Sequence, residues 1–223
     1  MKALLFGATG MVGQGVLLAC LDDPDITEVL VVGRSPVRQQ HAKLTEILRP
    51  DLFDLGPVAD RLTGYDACFF CLGVSSVGMK EGSYRHLTYD LTLTIAETIA
   101  PLNPGMAFEY ISGEGTDTSE QGRTMWARVK GATENAVLAL PFTGYAIRPG
   151  FIQAAPDVRP RNRVYAVAYT ATGWLFPVLR KLAPNVVITS DELARAMITI
   201  ARTRPEQRIW RTRDLVRLVS PAR

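Results

Sequence analysis

The chain has 223 residues, 47% of them hydrophobic and 21% charged, with a formal net charge of +3. This length suits a single α/β domain spanning residues 1–223, with enough apolar content for a sizeable core. So small a charge gives no reason to expect a nucleic-acid partner, and a membrane partner is not expected either.

The first apolar run, residues 2–6, reads as a strand that feeds straight into Gly7-Ala8-Thr9-Gly10-Met11-Val12-Gly13. It is too short for a signal peptide and is followed at once by a glycine turn, so the expected compartment is cytoplasmic. A helix is expected over residues 11–21. A strand, a glycine turn and a helix N-terminus together make an anion site, because bare main-chain N–H groups and the helix dipole both favour a diphosphate. Glycine lets the backbone approach such a group, and Gly13 lets the helix pack close to the sheet. Gly7, Thr9, Gly10, Met11, Val12 and Gly13 are therefore the expected phosphate-side contacts of a dinucleotide.

The next strand, residues 29–32, ends at Gly33-Arg34-Ser35. A site that prefers NAD places an acidic residue there for the ribose hydroxyls. No carboxylate occurs between Glu28 and Glu46. Arg34 instead offers a fixed cation suited to a 2′-phosphate, with Ser35 adding a hydroxyl, so NADP is expected in preference to NAD.

A weaker strand is expected at residues 46–51, and a stronger one at 66–72. The latter holds Cys68 and Cys71, which lie three apart on a strand and should point to opposite faces. With only Cys20, His41 and His86 elsewhere, no metal site is expected, and the odd number of cysteines suits a reducing compartment. A helix over 84–99, a strand over 106–112, a helix over 122–140 and a strand over 143–147 complete the alternation. That alternation implies a Rossmann-type, doubly wound parallel sheet with helices on both faces.

Beyond Pro149-Gly150 come a basic loop, Arg159-Pro160-Arg161-Asn162-Arg163, and an apolar stretch at 164–182 broken by Gly173 and Pro177. Such interruptions make it a poor membrane span. Thr189-Ser190-Asp191-Glu192 has the form of a capping box for a helix over 191–202. A short strand and an arginine-rich end are expected from Gln207 onward. Residues 151–223 are too few for a core of their own and are expected to form a small lid on the same domain.

The turn spacing, Gly33-Arg34-Ser35, Asp51-Leu52, Cys71-Leu72-Gly73 and Arg148-Pro149-Gly150 together resemble the atypical short-chain dehydrogenases/reductases. Within them they resemble the NAD(P)-binding proteins similar to the Tat-interacting oxidoreductase-like proteins. The likeness runs over about residues 1–152. It implies that Asp51 and Leu52 border the adenine, that Leu72, Gly73 and Val74 line the cofactor near its ribose, and that Pro149, Gly150 and Phe151 wrap the nicotinamide end. By analogy with the fold, a homodimer is the expected assembly.

The family's usual catalytic pair is a tyrosine four residues before a lysine, with a serine upstream. Here Lys130 is present, Ser112 stands at the end of the fifth strand, and Trp126 occupies the tyrosine position. Indole has only an N–H donor and cannot exchange a proton at physiological pH. Three readings follow: another group such as Tyr84, Tyr89 or Tyr110 supplies the proton, solvent does, or the protein binds NADP(H) without chemistry. Lys130 retains a role in each, since its ammonium can bond the nicotinamide ribose.

The first expected function is an NADP-dependent oxidoreductase acting on a small apolar carbonyl compound. Trp126, Phe151 and residues 164–182 would form the substrate wall. The alternatives are a catalytically silent NADP(H)-binding sensor that engages a protein partner, and an interfacial protein touching membrane through Gly173-Trp174-Leu175-Phe176 and Arg180-Lys181.

Overall fold

The structure, a computed structural model, describes residues 1–154 and 186–220. Strands β1 (Lys2–Phe6), β2 (Glu28–Gly33), β3 (Leu44–Leu48), β4 (Ala67–Phe70), β5 (Ala107–Ile111), β6 (Thr143–Arg148) and β9 (Ile209–Arg211) form one sheet in the order β3-β2-β1-β4-β5-β6-β9. Every neighbouring pair in that sheet is parallel. Parallel neighbours need crossovers. Here α1 (Met11–Asp22), α2 (Glu81–Arg85), α3 (Leu91–Ile99), α4 (Met125–Leu138), α5 (Ser190–Thr203) and α6 (Thr212–Val219) lie along the chain between and after the strands. Strands β7 (Phe151–Gln153) and β8 (Val187–Thr189) make a separate parallel pair.

Alternation along each strand sends side chains to two cores. Ala3, Leu5, Val29, Val31 and Phe69 face α1 and α5, whereas Leu4, Phe6, Leu30, Val32 and Phe70 face α3 and the end of α4. Covered on both sides, the central strands read as continuous apolar runs. Cys68 and Cys71 divide the same way, Cys68 in the α3 core and Cys71 against the α1 core, as their spacing requires. Helix α1 lies so close to the start of α5 that a Cβ on Gly15 would sit 3.2 Å from the Ser190 Cβ.

Several boundaries differ from the sequence reading. The third strand covers Leu44–Leu48 rather than 46–51. Its last rung is the Arg49 N–H donating to the Gly33 carbonyl at 2.9 Å, and Pro50, which has no N–H, follows at once. The expected helix over 84–99 starts at Glu81, and a π turn at His86–Asp90 joins α2 to α3. Helix α4 begins at Met125 rather than 122, because residues 117–122 fold into a loop closed by the Gly122 N–H donating to Asp117 Oδ2 at 2.7 Å.

The carboxy-terminal tail is not merely a strand with a basic end. Residues 212–219 form a helix that buries Thr212 and Leu215 and packs Val216, Leu218 and Val219 on the α1 core, with Arg213 and Arg217 between them. Its apolar positions recur at helical spacing, which the arginines obscure. The capping box at Thr189 is present, with both the Glu192 N–H and the Thr189 N–H satisfied. Residues 187–220 are thus built into the domain through α5 and β9. The expected apolar wall at 164–182 and the basic loop at 159–163 lie outside the described residues. Among the described residues no helix is long and apolar enough to cross a membrane.

Candidate functional site

The sheet reverses its strand order between β1 and β4, and open α/β sheets bind ligands at the carboxyl ends of the strands at such a point. A cleft of about 480 Å³ lies there, lined by Gly7, Ala8 and Thr9 after β1, Val31, Gly33, Arg34 and Ser35 at the end of β2, and Leu52 and Leu72 beyond β3 and β4. Six of the sequence-predicted residues, Gly7, Thr9, Arg34, Ser35, Leu52 and Leu72, therefore meet around one space.

The turn has little latitude. Gly7 adopts φ +83°, and a Cβ there would sit 2.6 Å from the Cys71 carbonyl carbon and oxygen. A Cβ on Gly13 would drive into the Gly7 carbonyl oxygen. That oxygen accepts from the Gly10 N–H at 3.0 Å, which closes the turn. Gly10 is the N-cap of α1, with no side-chain cap and no acidic residue in the first turn. The N–H groups of Met11, Val12 and Gly13 have no preceding helical carbonyl to receive them, so positive potential collects at this end.

On β3 and in the turn after it, the carboxylates accept from main-chain donors. Glu46 Oε2 accepts from the Val37 N–H at 2.8 Å, and Asp51 Oδ1 accepts from the Phe53 N–H at 2.9 Å. Asp54 Oδ1 accepts from the Gly56 N–H at 3.2 Å, while its Oδ2 lies 3.3 Å from the Arg49 guanidinium. Asp51 is exposed in its turn and only its neighbour Leu52 reaches the cleft. Gly73 and Val74 follow Leu72 in an exposed loop.

The second group of predicted residues clusters at the ends of β5 and β6. Lys130, on α4, is half-buried and its Nζ donates to the Ser112 carbonyl. Burial lowers its ammonium to a pKa of about 8, with the nearby Glu134 carboxylate opposing that shift. The buried Ser112 hydroxyl donates to Glu134 Oε1 and lies 3.2 Å from the Ile147 carbonyl. Glu134 is fully buried one helical turn beyond Lys130, and the Arg148 guanidinium grips it through Nε, 2.9 Å from Oε1, and through Nη2 on Oε2. Sequence reasoning missed this Glu134–Arg148 pair. Its traces were the Lys130-to-Glu134 spacing on one helix face and a lone arginine ending an apolar strand.

The Pro149 carbonyl accepts from the Glu114 N–H at 2.9 Å, and the Gly150 N–H donates to Thr212 Oγ1 at 2.7 Å. These bonds bring the Pro149-Gly150-Phe151 segment beside the loop that follows β5. Phe151 is 38% exposed. The Trp126 ring packs 3.4 Å from where a Cβ on Gly115 would lie, in that same loop. Tyr84 and Tyr110 are both fully buried, and burial pushes both phenols above their ordinary range. Tyr89 lies under the Arg85 guanidinium, 4.0 Å from the ring centre.

No family model matches the chain. It is 25% identical over 222 residues to the leucinostatins biosynthesis cluster protein T of Purpureocillium lilacinum, covering 87% of this chain and 82% of that protein. It is 29% identical over 203 residues to the protein fmp52, mitochondrial, of Emericella nidulans, covering 87% and 84%. Among solved structures it is similar to MoeE5 in complex with UDP-glucose and NAD, with TM-score 0.67, 16% identity and coverage of 94% of this chain and 75% of that one. A short chain dehydrogenase family protein from Francisella tularensis gives TM-score 0.64 at 16% identity, covering 90% of each chain. The chain has the Rossmann-type α/β fold of the short-chain dehydrogenases/reductases.

Proposed function

We propose that this protein binds a nicotinamide dinucleotide with a preference for NADP(H) and acts as an atypical short-chain reductase on a small apolar carbonyl compound. The observation that carries the reading is the β1–α1 turn beside the cleft. There Gly7 and Gly13 leave no room for a Cβ against neighbouring backbone and so hold a tight turn that ends in the uncapped N–H groups of α1. Such a cradle fits a diphosphate. Arg34 lines the same cleft, and the nearby carboxylates are tied to main-chain amides, which supports the 2′-phosphate over a free ribose hydroxyl. The solved neighbour MoeE5 carries NAD, so the preference for NADP(H) rests on this chain's own residues.

A bound reduced nicotinamide would supply hydride. The chain's residues would do the rest: Lys130 holds an ammonium at the end of β5, Ser112 fixes the backbone that receives it, and Trp126 and Phe151 present apolar surface. Tyr84 and Tyr110 are too buried to replace the missing tyrosine, which favours a proton from solvent. The same burial supports a second reading, an NADP(H)-binding sensor that performs no turnover.

Titration calorimetry tests the binding claim. NADP should bind more tightly than NAD, and Arg34→Ala should weaken NADP selectively by about tenfold, the worth of one hydrogen bond to a charged group. Equal or tighter binding of NAD refutes the preference. Consumption of NADPH with a panel of carbonyl compounds, lost in Lys130→Ala, supports the reductase, whereas tight binding with no turnover on any of them supports the sensor.

A further inference from the structure

Beside Arg34 stands a second arginine, Arg49, to which the sequence reading gave no role. Its main-chain N–H donates to the Gly33 carbonyl, so Arg34 and Arg49 leave the ends of adjacent strands β2 and β3 side by side. The Arg49 side chain is only 22% exposed. Its Nη2 donates to the Asp54 carbonyl at 2.7 Å and lies 3.3 Å from the Asp54 carboxylate. This bridges the turn that carries Leu52 into the cleft. Its Nε is buried and meets no acceptor among the described residues. A buried guanidinium N–H left unpaired is a rarity that calls for a partner.

We infer that Arg49 is a second specificity-determining cation, which completes with Arg34 a two-arginine site for the 2′-phosphate of an adenine dinucleotide. The inference rests on the dinucleotide-binding reading above and extends it. An arginine fork suits a phosphate because several N–H donors converge on its oxygens. Asp54 acts as a restraint on that fork: it holds the guanidinium against the Leu52 turn while neutralising part of its charge.

The test is calorimetry on the full chain with 2′,5′-ADP and 5′-AMP, two probes that differ by one phosphate and carry no nicotinamide. Arg49→Gln should weaken 2′,5′-ADP about tenfold while leaving 5′-AMP within about twofold, since one hydrogen bond to a charged group is lost. Arg38→Gln, which removes a neighbouring exposed cation, should change neither by more than about twofold if long-range screened charge is not the cause. Asp54→Asn keeps an oxygen for the Gly56 N–H and releases Arg49 from its carboxylate, so it should tighten 2′,5′-ADP. A merely structural Arg49 predicts the opposite sign, with both variants weakening both probes. That pattern overturns the inference, as does an unchanged 2′,5′-ADP affinity in Arg49→Gln. Failure of wild type to bind either probe refutes instead the dinucleotide reading on which it rests.

Discussion

Replacing Arg148 by methionine would strand the Glu134 carboxylate in the interior. Glu134 is fully buried, Arg148 is 5% exposed in its side chain, and the carboxylate receives two guanidinium nitrogens and the Ser112 hydroxyl. Removing one partner of so buried a pair typically costs about 3–5 kcal/mol, because the other charge stays without its counter-ion. For a chain of this size each kcal/mol lowers Tm by about 2–4 °C, so Arg148→Met should melt roughly 6–20 °C below wild type. Adding Glu134→Gln removes the stranded charge and keeps an acceptor for Ser112. The double variant should therefore be more stable than Arg148→Met alone, and a double-mutant cycle by urea denaturation should show coupling well above the ~0.5 kcal/mol scatter expected of independent sites. Lysine NMR gives a second readout. With Arg148 gone, Lys130 is the cation left one helical turn from Glu134, so its pKa should rise from about 8. An Arg148→Met cost below about 1 kcal/mol, or strict additivity in the cycle, would refute the assignment of a mutually dependent buried pair.

Gly13→Ala should both destabilise the fold by about 1–3 kcal/mol through overpacking and abolish measurable dinucleotide binding, because its Cβ collides with the Gly7 carbonyl that shapes the turn; wild-type affinity in this variant would show that the turn is not the diphosphate cradle. Glu109 is wholly buried between β5 and α5, and burial pushes its carboxyl well above the usual range, with the Ala201 N–H opposing. A raised folded pKa means that the unfolded chain releases this proton first, so stability should fall as pH rises above about 4.5, with a slope approaching ~1.4 kcal/mol per pH unit. Glu109→Gln should flatten the stability profile above about pH 4.5, and an unaltered slope in the variant would refute the neutral-carboxyl assignment.

The central sheet was legible because its physics is local. β1, β2, β4, β5 and β6 are buried on both faces, so each announces itself as an apolar run. The turn between β1 and α1 is marked by the close spacing of Gly7, Gly10 and Gly13, although the Cys71 backbone adds a distant constraint on Gly7. What the sequence hid depends on partners distant in the chain. Arg49 reads as one more surface cation until the β2–β3 register sets its backbone on Gly33. Glu134 and Arg148 lie 14 residues apart on a helix and a strand, and only the packing of α4 across β6 makes them a pair. Helix α6 escaped notice because Arg213 and Arg217 dilute an apolar stripe that is anchored by the buried Leu215. The misplaced edge of β3 has a similar origin. An edge strand covered on fewer sides needs fewer apolar residues, and Leu48 is itself half exposed.

The network around Glu134 also bears on Trp126, which stands at the position that the resemblance gives to a tyrosine. With a tyrosine at position 126, the lysine would act on the phenol's pKa and the serine would be free to orient a substrate. Here the Ser112 proton is given to Glu134, and the ammonium of Lys130 is given to the Ser112 carbonyl. Both polar groups therefore brace the β5–α4 junction, and the Trp126 ring packs on Gly115. On the proposed reading, a site so arranged would still fix a ribose and exclude water from one face of a bound ring, which positioning alone makes useful for hydride transfer. It gives little help to a substrate whose developing oxyanion needs a proton from the protein. Under the proposed reductase reading, the compounds reduced fastest are accordingly those whose negative charge is delocalised after hydride addition and protonated later by solvent.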